Sequence, residues 1–327
     1  MRAWLSILSL LIIAPHWDGP QRLGLLDRNA TITATRVPLD PEHPHQRRVG
    51  RLTYLGGVAL ESRDPVFGGF SAMTLQGDRF TLISDGGGIV RFGLDAQGRI
   101  STPSIAELPD GPGAGWEKRD RDSESVIIDA ATGDLLIGFE RANEIWRYDA
   151  GLTRAIGHSG PRAMRRWDEN GGSEAMVRLA DGRTIVFAES TPSKRKPGRL
   201  ALSFAGDPTR APEANFSFVY VPPKGYDPSD AALLPDGRIL MLNRRFSAPF
   251  DFTAKLTVVD PRAIRAGARV GGVEIAMIDA PLTRDNFEGL VVAQEGRATV
   301  IWLVSDDNQF MFERTLLMKF RIDSLPR

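Results

Sequence analysis

The chain has 327 residues, 42% of them hydrophobic, enough to bury a large core. Lys+Arg and Asp+Glu both number 41, so no net field draws the protein to nucleic acid or anionic lipid. There is no cysteine, which excludes disulfides, thiolate zinc sites and a cysteine nucleophile.

In chain order, Arg2 is followed by an apolar run from Ala3 to Ala14. That length suits the core of a signal peptide and is short for a bilayer-spanning helix. Residues 1–20 therefore read as a signal peptide or a retained N-terminal anchor, with export to the periplasm and membrane contact only through that anchor. Residues 21–50, with several Pro and His, read as an irregular lead-in, and 51–327 as one domain.

Within that domain one phrase returns five times: a small residue beside an acidic one, an apolar run, a Gly turn, a second apolar run, then a polar cluster. The copies span 70–85, 123–141, 173–190, 229–245 and 287–308. Their turns fall at Gly77-Asp78, Thr132-Gly133, Asp181-Gly182, Gly237 and Gly296, which are hairpin signals. The arms, such as Thr184-Ile185-Val186-Phe187 and Val300-Ile301-Trp302-Leu303-Val304, are short β-branched and apolar runs that read as buried strands. A third strand follows each hairpin, for example Glu144-Ile145-Trp146-Arg147-Tyr148, and a fourth follows most of them, as at 217–221 and 273–278. The last unit ends after its third strand, and 51–60 is the stretch available to complete it. A repeat period near 50 residues predicts an all-β fold, a single β-propeller of five or six blades, closed by an N-terminal strand.

Because hairpin arms are antiparallel, the residues that open the first arm and close the second finish side by side. Five hairpins thus deliver Asp85, Glu124, Glu140, Glu174, Glu189, Asp230, Glu288, Asp306 and Asp307 to one rim, with Arg141, Arg244 and Arg245 among them. So many carboxylates in one place repel one another unless cations or protons intervene, and a hard cation such as Ca²⁺ prefers all-oxygen ligand sets of this kind. Glu124, Glu174, Glu189, Glu288 and Asp306 are the expected Ca²⁺ ligands, and Arg141, Arg244 and Arg245 the expected clamps for an anionic substrate. An Arg–carboxylate network holding blades in register is the alternative use of the same charges. Spacing singles out no catalytic base. Gly157-His158-Ser159-Gly160-Pro161 departs from the nucleophile-elbow pattern at Pro161 and reads as a loop, and Gly86-Gly87-Gly88 precedes no helix pattern that would make it a phosphate cradle. The basic runs at 162–166 and 194–196 read as solvated loops.

The segment Asp285-Asn286-Phe287-Glu288-Gly289-Leu290, followed by Leu303-Val304-Ser305-Asp306-Asp307-Asn308, resembles the C-terminal signature of the phytase-like domain family. Gly171-Gly172-Ser173-Glu174-Ala175 with Phe187-Ala188-Glu189-Ser190, and Asp236-Gly237-Arg238-Ile239-Leu240 with Arg244-Arg245-Phe246, are similar to its middle repeats. The resemblance, over roughly 50–322, implies a β-propeller with esterase-like activity of the phytase type in a mostly exported bacterial family. The chain departs from the metal motifs of alkaline β-propeller phytases, of which Asp285-Asn286-Phe287-Glu288 is the nearest echo, so phytate itself is not implied. The expected function is an exported hydrolase of a small phosphate or carboxylic ester at a Ca²⁺-binding channel mouth. The alternative is a non-enzymatic propeller that binds a ligand or cell-envelope partner.

Overall fold

The computed structural model describes residues 30–115, 118–192, 197–248 and 251–326. The expected signal or anchor segment and the basic run at 194–196 lie outside them. No helix among the described residues is long and apolar enough to cross a membrane.

Five sheets make five blades among the described residues, the lower of the two blade numbers expected from the sequence. The first blade runs Phe70–Gln76, Arg79–Ser84, Gly88–Leu94 and Ile100–Glu107; the second Ser123–Ile128, Leu135–Phe139, Glu144–Tyr148 and Ala155–Ser159. The third runs Ser173–Arg178, Thr184–Pro192, Arg199–Phe204 and Phe216–Val221, with Arg269–Gly271 added in parallel at its outer edge. The fourth runs Asp227–Leu233, Ile239–Ser247, Asp251–Val259 and Val273–Ile278. The fifth takes Asn286–Glu295, Ala298–Asp306 and Thr315–Ile322 from the end of the chain and Leu52–Ser62 from its beginning. This last pairing, Leu317 opposite Val58 and Thr315 opposite Leu60, closes the ring as the missing fourth strand required. The lead-in is less irregular than expected: Ile32–Arg36 and Arg48–Val49 both pair with Leu52–Ser62. Covering that strand removes an edge that would otherwise be open to association.

The five inner-to-second-strand hairpins each turn on a glycine in the left-handed region, Gly77, Gly133, Gly182, Gly237 and Gly296, where other residues are strained. The inner strands touch their neighbours in a closed cycle, first to second through fifth to first. One apolar cluster fills each interface between blades. Ala72 and Ile83 meet Ile137 and Phe139 between the first two blades, Leu136 meets Met176 and Val186 between the next two, and Phe187 meets Ile239 and Met241 after that. Leu240 and Leu256 pack on Leu303 and Phe320, and Val304 and Leu317 on Phe70 and Leu82, completing the circle. Because the second strands are covered on both faces, their sequences are continuous apolar runs, as Leu135–Phe139 shows. Gly157-His158-Ser159 belongs to the outer strand Ala155–Ser159 rather than to a loop. There His158 stacks on Trp146 at 4.4 Å and Ser159 Oγ donates to Pro208 O at 2.8 Å.

Candidate functional site: a carboxylate ring over an apolar channel

The channel through the ring is lined mainly by apolar side chains of the inner strands, Met73, Val126, Val177 and Leu290 among them, with Thr74 and Arg178 as its polar members. The chemistry stands at the mouth opposite the Gly turns, where each inner strand begins. All five inner strands carry a β-bulge near that start: pairing skips Ser71, Glu124, Glu174, Ser229 and Glu288. A bulge frees one residue from the ladder and re-aims its side chain. In three blades the freed residue is a glutamate. In the other two it is a serine, and Ser71 Oγ and Ser229 Oγ donate to the carbonyls of Ser123 and Phe287 in the next blade.

The bulge register corrects one expectation. The sequence aligns Asp230 with Glu174, but Ser229 holds that position and Asp230 is one residue further along. Asp230 accepts from Leu290 N at 2.6 Å and Ala231 N at 2.7 Å, tying the fourth blade to the fifth. Burial lifts its carboxyl well above the usual range, and none of the ring carboxylates contributes to that shift. Asp307 also serves the seam of the ring: it accepts from Gly69 N at 2.9 Å and from Thr315 Oγ1 at 2.8 Å.

The remaining acids converge. Oxygens of Asp122, Glu124 and Glu140 lie within 4.8 Å of one another, as do those of Glu140, Glu174 and Glu189. Glu140 thus belongs to both triads, and its Oε1 also accepts from Gly172 N at 3.1 Å. On the other side Arg244 bridges three blades: it contacts Glu189 at 2.6 Å, Glu288 at 2.8 Å and Asn286 Oδ1 at 2.7 Å, and Asn286 Nδ2 donates to Glu288 at 2.8 Å. Asp306 and Asp85 complete the ring through their electrostatic coupling to Glu288. All five expected cation ligands are therefore brought together. Sequence reasoning missed Asp122, which precedes the Ser-Glu phrase, and left Glu140 outside the ligand set although it closes the second arm of its hairpin.

Glu124, Glu140, Glu174, Glu288 and Asp306 are all raised, burial being the largest cause for each and neighbouring carboxylates adding to it. Glu124 and Glu174 are raised well above the usual range, with Glu174 and Glu189 respectively as the leading charged neighbours. Glu140 is pushed up to about 7 by burial and Asp122. Glu288 also reaches about 7, burial outweighing the opposing pull of Arg244. Burial would lower the Arg244 guanidinium, but Glu288, Glu189 and Glu174 hold it firmly charged.

The three expected substrate clamps have different surroundings. Arg244 is spent on the ring acids. Arg141 is paired with Asp122 at 2.7 Å. Arg245 lies with its guanidinium 5.1 Å from the Tyr226 ring centre, and its Nε is buried without a hydrogen-bond partner. A cleft of about 500 Å³ opens from Glu189 and Arg244 past Arg245 to Phe246, Phe252, Asn308 and Glu313.

Fold and rim define a five-bladed β-propeller with a buried carboxylate ring at one channel mouth. The profile of the phytase-like family, described as the esterase-like activity of phytase, matches residues 65–309, and the chain belongs to that family. No curated protein matches. Among solved structures, an endo-arabinase from Bacteroides thetaiotaomicron is 10% identical with TM-score 0.49, covering 80% of this chain and 95% of that one. A protein of unknown function from Desulfotomaculum acetoxidans is 9% identical with TM-score 0.41, covering 80% and 76%. The N-terminal domain of Nup159 is 10% identical with TM-score 0.35, covering 71% of this chain and only 56% of that one. At these scores the likenesses carry no argument, and the fold rests on the chain's own sheets.

Proposed function

We propose that this protein is an exported, Ca²⁺-dependent hydrolase of phosphate or carboxylic esters, acting at the carboxylate ring. The observation that carries the reading is the pair of buried carboxylate triads sharing Glu140. The donor set is all oxygen, anionic and crowded, which suits a hard divalent cation and suits softer metals poorly. Asp122, Glu124, Glu140, Glu174 and Glu189 would hold it, with Glu288 and Asp306 adjoining. A cation so held would polarise the ester oxygen and lower the pKa of the attacking water.

The chain's own residues have separable tasks. Arg244 fixes Glu189 and Glu288 in place across three blades. Arg245, a guanidinium at the cleft wall, receives an anionic or carbonyl oxygen of the substrate. Glu140, common to both triads, would be ionised with the cation in place; Glu288, which adjoins that site and stands at about 7 in the cation-free protein, is the group suited to exchanging a proton near neutral pH. As water oxygen bonds to the acyl carbon or phosphorus, Glu288 takes the water proton. The bond to the leaving oxygen breaks, and that oxygen is protonated in turn. Export rests on the apolar N-terminal run.

The bridging by Arg244 favours a second reading, a binding propeller whose charges are structural. Metal analysis of the purified protein, combined with a panel of phosphomonoesters and carboxylic esters with and without EDTA, separates the two. The hydrolase reading expects bound calcium, EDTA-sensitive turnover, and loss of both in Glu174→Gln and Glu140→Gln. Absence of turnover across the panel, with no change in melting temperature on adding calcium or EDTA, would leave only the binding module.

A further inference from the structure

Most large apolar side chains of the described residues are buried, but four exposed ones stand near the rim that carries the ring, one at the end of a strand and three on a loop. Phe246 is 55% exposed near the end of strand Ile239–Ser247, and Phe310, Met311 and Phe312 follow Asp306, with Met311 at 83% and Phe312 at 69%. Single exposed apolar residues are ordinary; a group around one cleft marks a binding surface. Phe246 packs on Phe252 with ring centres 5.0 Å apart, and both line the cleft. The loop joins the same wall through Asn308 and Glu313, which are hydrogen-bonded to each other at 2.7 Å, and Phe310–Phe312 lie between these two residues in the chain.

The charge of the cleft limits what it accepts. Arg244 is neutralised by Glu189 and Glu288, and Asp227 is held by Arg199 Nε at 2.6 Å. Arg245 remains, with Glu313 across the cleft. Among the described residues that line the cleft, three carboxylates face two guanidiniums, which leaves no surplus positive charge for a polyanion, while Phe246 offers burial to an uncharged group of phenyl size or larger.

We infer that the substrate is an ester of an aryl or alkyl group of at least phenyl size, rather than a multiply phosphorylated polyol. The apolar arm lies against the exposed face of Phe246, which Phe252 backs, on the side of the Phe310–Phe312 loop, and its ester group reaches the ring past Arg245. This rests on the hydrolase reading above, and its test is chosen so that the two fail separately.

With full-length protein in calcium, kcat/KM is measured for naphthyl phosphate and naphthyl acetate against methyl phosphate and methyl acetate, and for inositol hexakisphosphate. Independently of turnover, binding of phenylphosphonate and methylphosphonate is measured by calorimetry. Aryl compounds are expected to be favoured about tenfold or more, the effect of burying one ring. Phe246→Ser and Phe312→Ser should each lower the aryl-to-methyl ratio severalfold, and Arg245→Gln should raise KM for the phosphates more than for the neutral esters. Ile156→Ser, exposed on the outer strand of the second blade, should change nothing. Turnover with no aryl preference, a preference for inositol hexakisphosphate, or unchanged ratios in both Phe variants would overturn the inference and leave the hydrolase reading standing. If no ester is turned over, that reading falls, and Phe246-dependent binding of phenylphosphonate over methylphosphonate upholds the cleft assignment; equal binding of the two overturns it.

Discussion

Replacing Glu140 by glutamine tests the electrostatics of the ring without using activity. Glu140 is buried, its carboxyl stands at about 7 instead of the ordinary 4.5, and its Oε1 accepts from Gly172 N, a bond glutamine can keep. A carboxyl raised on folding contributes stability that is fully present below about 4.5 and is lost as pH rises through about 7. Above 7 the ionised group costs the cation-free protein up to about 3 kcal/mol, the free-energy equivalent of that displacement. Coupling to Asp122, Glu174 and Glu189 makes this an upper figure for one site. Glu140→Gln in EDTA at pH 8 should therefore be more stable than the parent, by up to about 3 kcal/mol or several °C in melting temperature. At pH 4 the two should coincide. In calcium at pH 8 the order should reverse, because the variant has lost the ligand common to both triads. Urea unfolding at pH 4, 6 and 8, in EDTA and in calcium, measures all of this. A variant that is less stable than the parent in EDTA at pH 8, while equal to it at pH 4, would refute the claim that like-charge crowding dominates this mouth.

Three further outcomes follow from the same geometry. Arg244→Gln leaves Glu189 and Glu288 without their cation and should destabilise the EDTA-treated protein by about 3–5 kcal/mol at pH 8, less at pH 5, as read by urea unfolding. Arg147, only 2% exposed, holds Asp129 at 3.0 Å and Asp134 at 2.6 Å, and also Asp207 from the next blade. Arg147→Met should cost a similar amount, about 3–5 kcal/mol, without altering calcium binding, which calorimetry would check. Deleting residues 30–62 exposes the edge of Thr315–Ile322 and should yield aggregated protein in size-exclusion chromatography, whereas deleting 30–36 alone keeps the ring closed, uncovers the edge of Leu52–Ser62 and should give a folded protein with some self-association.

Calcium affinity should itself fall with acidity. Glu140 and Glu288, at about 7, must shed their protons to bind a cation, so affinity measured by calorimetry should drop steeply from pH 8 to pH 6. A flat profile over that interval would count against both groups as ligands.

Much of the architecture was legible in the residues because its causes are local. A Gly turn between two apolar runs makes a hairpin wherever it occurs, and five copies at even spacing leave the ring as the way to bury every strand face. The same antiparallel logic put Glu124, Glu174, Glu189, Glu288 and Asp306 at one rim, and the incomplete last unit pointed to the N-terminal strand that closes it. Register and partnership, by contrast, arise only in the assembled ring. A bulge displaces one residue from the ladder, so a single step separates Ser229 from Asp230 and sends the aspartate to Leu290 N instead of the ring. Arg244 and Arg245 are adjacent in sequence, yet the alternation of a strand turns one toward Glu189 and Glu288 and sets the other beside Tyr226. Strand patterning carries the period of two; which neighbouring blade supplies each partner is settled by ring closure, across separations that no local pattern encodes.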